Sequence, residues 1–105
     1  LIMKVLLVCS QGMSSAIAVN ALKKEAEKQG VEMEVKAVST QEFEEEIKEG
    51  YDVAMVAPQV RHRFDYLKAY ADEANVPCAL IEARAYSPLG GPKLFKQVKE
   101  LAESK

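Results

Sequence analysis

Residues 5–26 read VLLVCSQGMSSAIAVNALKKEA, and this stretch decides the fold. Its first four residues, Val5, Leu6, Leu7 and Val8, are apolar without alternation. A continuous run of that length predicts a strand covered on both faces, as in a parallel sheet. Cys9 ends the run, and small or polar residues follow. From residue 13 to residue 29 a helix is expected, with Ile17, Ala18, Ala21 and Leu22 leaning to one side of its wheel. Gly30 stands where a left-handed cap would stop it. A thiol therefore sits where a buried strand gives way to a helix.

Outward from that unit the same alternation repeats. Residues 31–38 place Val31, Met33, Val35 and Ala37 on one side, which predicts a half-covered strand at a sheet edge. Ser39, Thr40, Gln41 and Glu42 have capping-box spacing, and Phe43 and Ile47 follow four apart, so a short acidic helix comes next. Residues 52–57 form a third, buried strand. Pro58 can open a helix, because the first helical position needs no N–H donor. Val60, Phe64, Leu67, Ala71 and Ala74 then make its buried stripe. Residues 77–83 read as a fourth strand and residues 86–91 as a Pro/Gly-rich loop. A last amphipathic helix carries Leu94, Phe95, Val98, Leu101 and Ala102. Strands alternating with helices imply right-handed crossovers, an α/β fold with a parallel sheet, and helices on both faces in three layers. Sites in such sheets lie at the carboxyl ends of the strands, which is where Cys9 falls.

Composition narrows the function classes. The 105 residues are read as one domain, long enough to bury a core without disulfides or metals. Leu1 and Ile2 precede Met3, are read as non-native, and are given no role. A net charge of −2 with mixed signs gives no electrostatic reason to expect nucleic acid or an anionic membrane as partner. Two cysteines do not make a disulfide scaffold, and no group has metal-ligand spacing, so neither metal nor cofactor is expected. The apolar run at residues 5–8 is too short to enter a membrane as a span, and no signal-peptide pattern follows it. A reduced, cytoplasmic protein is expected.

Two readings of Cys9 stand side by side. In the first, the N-terminus of the following helix offers unpaired N–H groups and the positive end of its dipole, which favours thiolate over thiol. The same groups would cradle a phosphoryl group on that sulfur. Gly12 lets the backbone pass close, and Ser10, Ser14 and Ser15 add hydroxyl donors. In the second, Cys9 is a small buried hydrophobe. Cys78, beside Ala79, Leu80 and Ile81, is read as core. With a strand between theirs, the two cysteines lie at least about 9–10 Å apart, beyond disulfide reach.

Neighbouring motifs are absent. The chain has no G-x-x-x-x-G-K-[ST] and no G-x-G-x-x-G, and its second strand ends Ala37-Val38-Ser39 without the acidic residue a ribose would need. A cysteine phosphatase loop, C-x5-R-[ST], is the closer competitor, but Ser15 occupies the arginine's position and Ala16 follows. Without that arginine the bidentate phosphate clamp is missing. The loop EARAYSPLGG, residues 82–91, holds no Asp to protonate a leaving group. The loop is suited to holding a phosphoryl group rather than hydrolysing it.

From Met3 to about Lys99 the chain resembles the enzyme IIB domains of the lactose/cellobiose (chitobiose) class of the bacterial sugar phosphotransferase system. KVLLVCSQGMSS at residues 4–15, APQVRHRFDYL at 57–67 and AYSPLGGPKLF at 85–95 carry the resemblance. The first is the most specific, with the cysteine, Gly12, Met13 and Ser14 in the family's order. Ala57 stands where the family commonly has glycine. The resemblance implies a single open sheet in order 2-1-3-4, like the low-molecular-weight phosphatase and flavodoxin-like folds. It also implies a phosphotransferase: a cysteine accepts a phosphoryl group from a histidine of enzyme IIA and passes it to a sugar bound by the membrane permease, enzyme IIC. On this sequence the acceptor maps to Cys9, and the phosphate is cradled by Ser10, Gln11, Gly12, Met13, Ser14 and Ser15. A phosphatase-like hydrolase and a non-catalytic regulatory domain of the same fold are the alternatives.

Other residues carry weaker signals. His62, the only histidine, points away from the Val60/Phe64/Leu67 stripe and is expected in solvent. Arg61, His62 and Arg63, in the first turn of their helix, either help to dock a partner or form a plain surface cluster. Glu42, Glu44, Glu45 and Glu46 read as a solvated helix face. Tyr86 and Ser87 follow the last strand, whose end shares an edge with Cys9, so Tyr86 is a candidate phosphate contact.

Overall fold

A computed structural model describes residues 2–9, 15–82, 84 and 89–103. Strand β1 spans Met3–Cys9, helix α1 Ser15–Lys28, β2 Met33–Ser39 and α2 Thr40–Glu46. They are followed by β3 at Val53–Val56, α3 at Phe64–Glu73, β4 at Cys78–Leu80 and α4 at Gly91–Glu103. The sheet is parallel throughout, in order β2-β1-β3-β4. The open four-stranded α/β sheet expected from the sequence is therefore the one observed.

Two apolar layers flank the sheet, and the strands feed both. Leu6, Val8, Val38, Ala54 and Val56 pack with Phe43, Ile47, Leu67 and Ala71 of the α2/α3 layer. Val5, Leu7, Val53 and Met55 pack with Ala18, Leu22 and Ala26 of α1 and Leu94, Phe95 and Val98 of α4. Because β1 and β3 are central, both of their faces are covered, and this explains their unbroken apolar runs. β2 lies at the edge and alternates half-buried Met33, Val35 and Ala37 with exposed Glu34 and Lys36.

Local chemistry sets the element ends. At the end of α1, Gly30 takes φ +71°. Its N–H donates to the Glu27 carbonyl at 3.1 Å, and the Val31 N–H reaches back to the Ala26 carbonyl at 2.9 Å. That pair of bonds is a Schellman cap, which a residue with Cβ would strain. At the start of α2, the Glu42 carboxylate accepts from the Ser39 N–H at 3.2 Å and the Ser39 hydroxyl at 3.0 Å. A 3-10 turn at Ile47–Glu49 closes α2, and Gly50 at φ +85° turns the chain toward β3.

Three sequence expectations are corrected. The helix expected to run from Pro58 is a 3-10 segment, Pro58–Arg63, with Val60 at φ −118°, and the α-helix proper starts at Phe64. Val60 is still buried, so the stripe survives the break. The fourth strand is three residues long rather than seven, because β3, its partner, is itself short. Ile17 is 51% exposed rather than buried. The buried line of α1 runs through Ala18, Leu22 and Ala26, at the four-residue spacing of one face, and Ile17 lies a turn-step off it.

Candidate functional site

Parallel register brings the carboxyl ends of the strands into one row. Cys9 pairs with Ser39 on one side. On the other side Val8 pairs with Val56, which pairs with Leu80. One step beyond, the Ala57 N–H donates to the Val8 carbonyl at 2.9 Å and the Ile81 N–H to the Val56 carbonyl at 2.8 Å. Ser39, Cys9, Ala57 and Ile81 thus end the four strands at one level, in strand order. Cys9 lies near the middle of this row, as the last residue of β1.

Its side chain is fully buried, in the cluster that contains Val8, Val38, Ala57 and Val60. Burial agrees with the packing reading of Cys9; its place in the row is what the chemical reading needs. α1 begins at Ser15 with no acidic residue in its first turn, so none of its own side chains offsets the positive end of its dipole there. α4 likewise has no acid in its first turn.

Of the residues expected to cradle phosphate, Ser10, Gln11, Gly12, Met13 and Ser14 lie outside the described residues, as do Tyr86 and Ser87. Ser15 is described as the first residue of α1. Ala57 has φ −65° and ψ 148°, an extended conformation that any residue adopts, so alanine in place of glycine costs the backbone nothing. Arg61, His62 and Arg63 are exposed on the 3-10 turn that leaves Ala57. Glu42, Glu44 and Glu45 are exposed, as a solvated face requires.

Cys78 contrasts with Cys9. It is buried on β4, paired with Ala54, and burial pushes its thiol up to about 12. At neutral pH it is a packed thiol. β3 lies between the strands of the two cysteines, and no disulfide joins them. Arg84 is the residue that sequence reasoning missed. It is exposed beyond β4, and its signal was its residue type, considered below.

Comparison with known proteins agrees with this arrangement. Residues 4–97 match the family model described as PTS system, Lactose/Cellobiose specific IIB subunit. The chain is 32% identical over 98 residues to the oligo-beta-mannoside-specific EIIB component of the Bacillus subtilis PTS, covering 93% of this chain and 94% of that one. It is 32% identical over 82 residues to a lactose-specific EIICB component of Streptococcus mutans, covering 78% of this chain and 14% of that longer protein. The solution structure of a cellobiose-specific IIB component from Borrelia burgdorferi superposes with a TM-score of 0.79 at 25% identity, covering 99% of this chain and 94% of that one. A lactose-specific IIB domain from Streptococcus pneumoniae shares the fold, with a TM-score of 0.76 at 24% identity and coverage of 93% and 95%. The chain belongs to the lactose/cellobiose-specific IIB subunit family of the sugar phosphotransferase system.

Proposed function

We propose that Cys9 is the phosphoryl acceptor of a cytoplasmic phosphocarrier, loaded by a phosphohistidine of enzyme IIA and unloaded onto a sugar held by enzyme IIC. One observation carries the reading: in a chain of this family, a cysteine ends the central strand β1 in the row of strand ends. In the first transfer the Cys9 sulfur attacks phosphorus, an S–P bond forms, and the P–N bond to the donor imidazole breaks. The imidazole leaves and takes up a proton. In the second transfer a sugar hydroxyl attacks phosphorus, the S–P bond breaks back to thiolate, and the hydroxyl proton is released. A thiolate serves as both nucleophile and leaving group, and phosphoryl transfer asks the protein mainly for positioning and charge stabilisation.

The backbone of residues 11–15, the hydroxyls of Ser10 and Ser14, and Tyr86 are the proposed supports for the phosphoryl oxygens. Because Cys9 is fully buried, its sulfur must become accessible when the donor docks. The relatives are named for oligo-beta-mannoside, lactose and cellobiose, and the final acceptor is proposed to be a sugar of this class. Among the described residues no helix is long and apolar enough to cross a membrane. Incubation with phosphoenolpyruvate, the general phosphotransfer proteins and IIA should place one phosphoryl group on the chain, and none on Cys9→Ser. Hydrolysis of p-nitrophenyl phosphate should be negligible, because Ser15 stands where a phosphatase carries arginine. Cys9-dependent turnover of roughly 1 s⁻¹ or more, ordinary for a competent enzyme, would favour the hydrolase instead.

A further inference from the structure

The chain has three arginines, Arg61, Arg63 and Arg84, against eleven lysines. All three arginines follow strands at the edge where Cys9 ends β1: two on the turn after β3, one beyond β4. Of the lysines, Lys93 and Lys96 of α4 line a hollow with Glu82, beyond β4. The arginine turn is anchored beside Cys9, because Ala57 bonds to Val8 and Val60 is buried in the Cys9 cluster. All three side chains are exposed, and among the described residues none makes a hydrogen bond or an ion pair.

Carboxylates do share this edge, namely Glu42, Asp65 and Glu82, but Glu42 is turned onto Ser39 and none engages an arginine. Guanidinium groups are weakly hydrated, present a planar fork to carboxylates, and concentrate at protein interfaces where lysine is depleted. Three exposed forks on the turns that follow β3 and β4 suit an acidic protein surface better than they suit solvent.

We propose that Arg61, Arg63 and Arg84 form the docking rim for the phosphohistidine donor, pairing with carboxylates that surround the donor's histidine. The inference rests on the phosphocarrier reading and adds the chemistry of the donor's face. The arginines act on encounter and not on the phosphoryl group, since they are exposed to solvent while Cys9 is buried. Mutating rim charges typically changes association rate and its salt dependence.

The test is stopped-flow or quenched transfer from the phosphorylated IIA protein to the full chain, as a function of donor and salt concentration. The variant Arg61→Gln/Arg63→Gln/Arg84→Gln should lose on the order of tenfold in kcat/KM at low ionic strength. The loss should lie in KM, with the rate at saturating donor unchanged. Wild-type transfer should slow as salt rises, and the variant should show a flatter dependence. Iodoacetamide should alkylate Cys9 equally fast in both proteins, which checks that the site is intact. A fall in the saturated rate with KM unchanged would mean that the arginines hold the phosphoryl group, and would overturn the proposal. Equal kinetics and equal salt dependence would overturn it too. A wild-type chain that accepts no phosphoryl group at Cys9 would instead overturn the phosphocarrier reading beneath it.

Discussion

Cys9 and Cys78 are both buried, yet their positions give them different chemistry. Cys78 lies within β4, and burial drives its thiol to about 12, so near pH 8 it is not ionised. Cys9 ends its strand, in the row of strand ends. Iodoacetamide at pH 8 should therefore react first at Cys9, as the edge of strand ends opens, with Cys78 reacting only after denaturation. Peptide mapping reads the order, and prior modification of Cys78 would contradict it. The place of Cys9 at a strand end was legible because an unbroken apolar run stops there. Its burial was one of two sequence readings, and the neighbours that help to cover it, Ala57 and Val60, are brought in by β3 and its following turn. Arg84 went unnoticed for a related reason. Its meaning lies in the company of Arg61 and Arg63, which only the order of strand ends reveals.

Among the elements, α1 and α4 meet at a point that permits no side chain. A Cβ on Gly91 would stand 2.8 Å from the Ala21 carbonyl oxygen, a backbone atom that cannot swing aside. Gly91→Ala must push α4 away from α1, and overpacking of this kind typically costs about 1–3 kcal/mol. For a domain of this size each kcal/mol lowers Tm by roughly 4–8 °C, so thermal melting should show a clear drop; an unchanged Tm would refute the contact. A second link joins β2, α2 and the turn before β3. Glu46 Oε1 accepts from Lys36 Nζ at 2.9 Å and from the Tyr51 hydroxyl at 2.8 Å. The Lys36 hydrogen bond, then that of Tyr51, hold the Glu46 carboxyl below its ordinary value. Burial and the Glu46 bond raise the Tyr51 phenol, which stays a donor. A depressed carboxylate adds stability above its unfolded pKa and loses it as pH falls through its folded one. Glu46→Gln should thus lower Tm slightly at neutral pH, and the gap to wild type should close in acid. A gap that widened in acid would reverse the assignment. Periodicity alone located these helices, but it could not find the break at Val60 or the exposure of Ile17. Both depend on how a helix is docked, and a wheel carries no information on that.

At the scale of the whole molecule, one sheet with two covered faces serves mainly to gather four strand ends into a row. The sheet was readable because β1 and β3, buried on both sides, must be apolar throughout, while the edge strand β2 is free to alternate. β4 was over-read because apolar residues continue past Leu80, whereas pairing ends with its partner. Hydrogen exchange should follow this topology, with amides of β1 and β3 the slowest and β4 opening earlier. The central claim is that the row exists to present Cys9 to two partners in turn. Its most direct measurement is intact-protein and peptide mass spectrometry after incubation with phosphoenolpyruvate, the general phosphotransfer proteins and IIA. The account predicts one phosphoryl group, on Cys9, absent from Cys9→Ser and retained in Cys78→Ser. A phosphoryl group on His62, or undiminished labelling of Cys9→Ser, would contradict it.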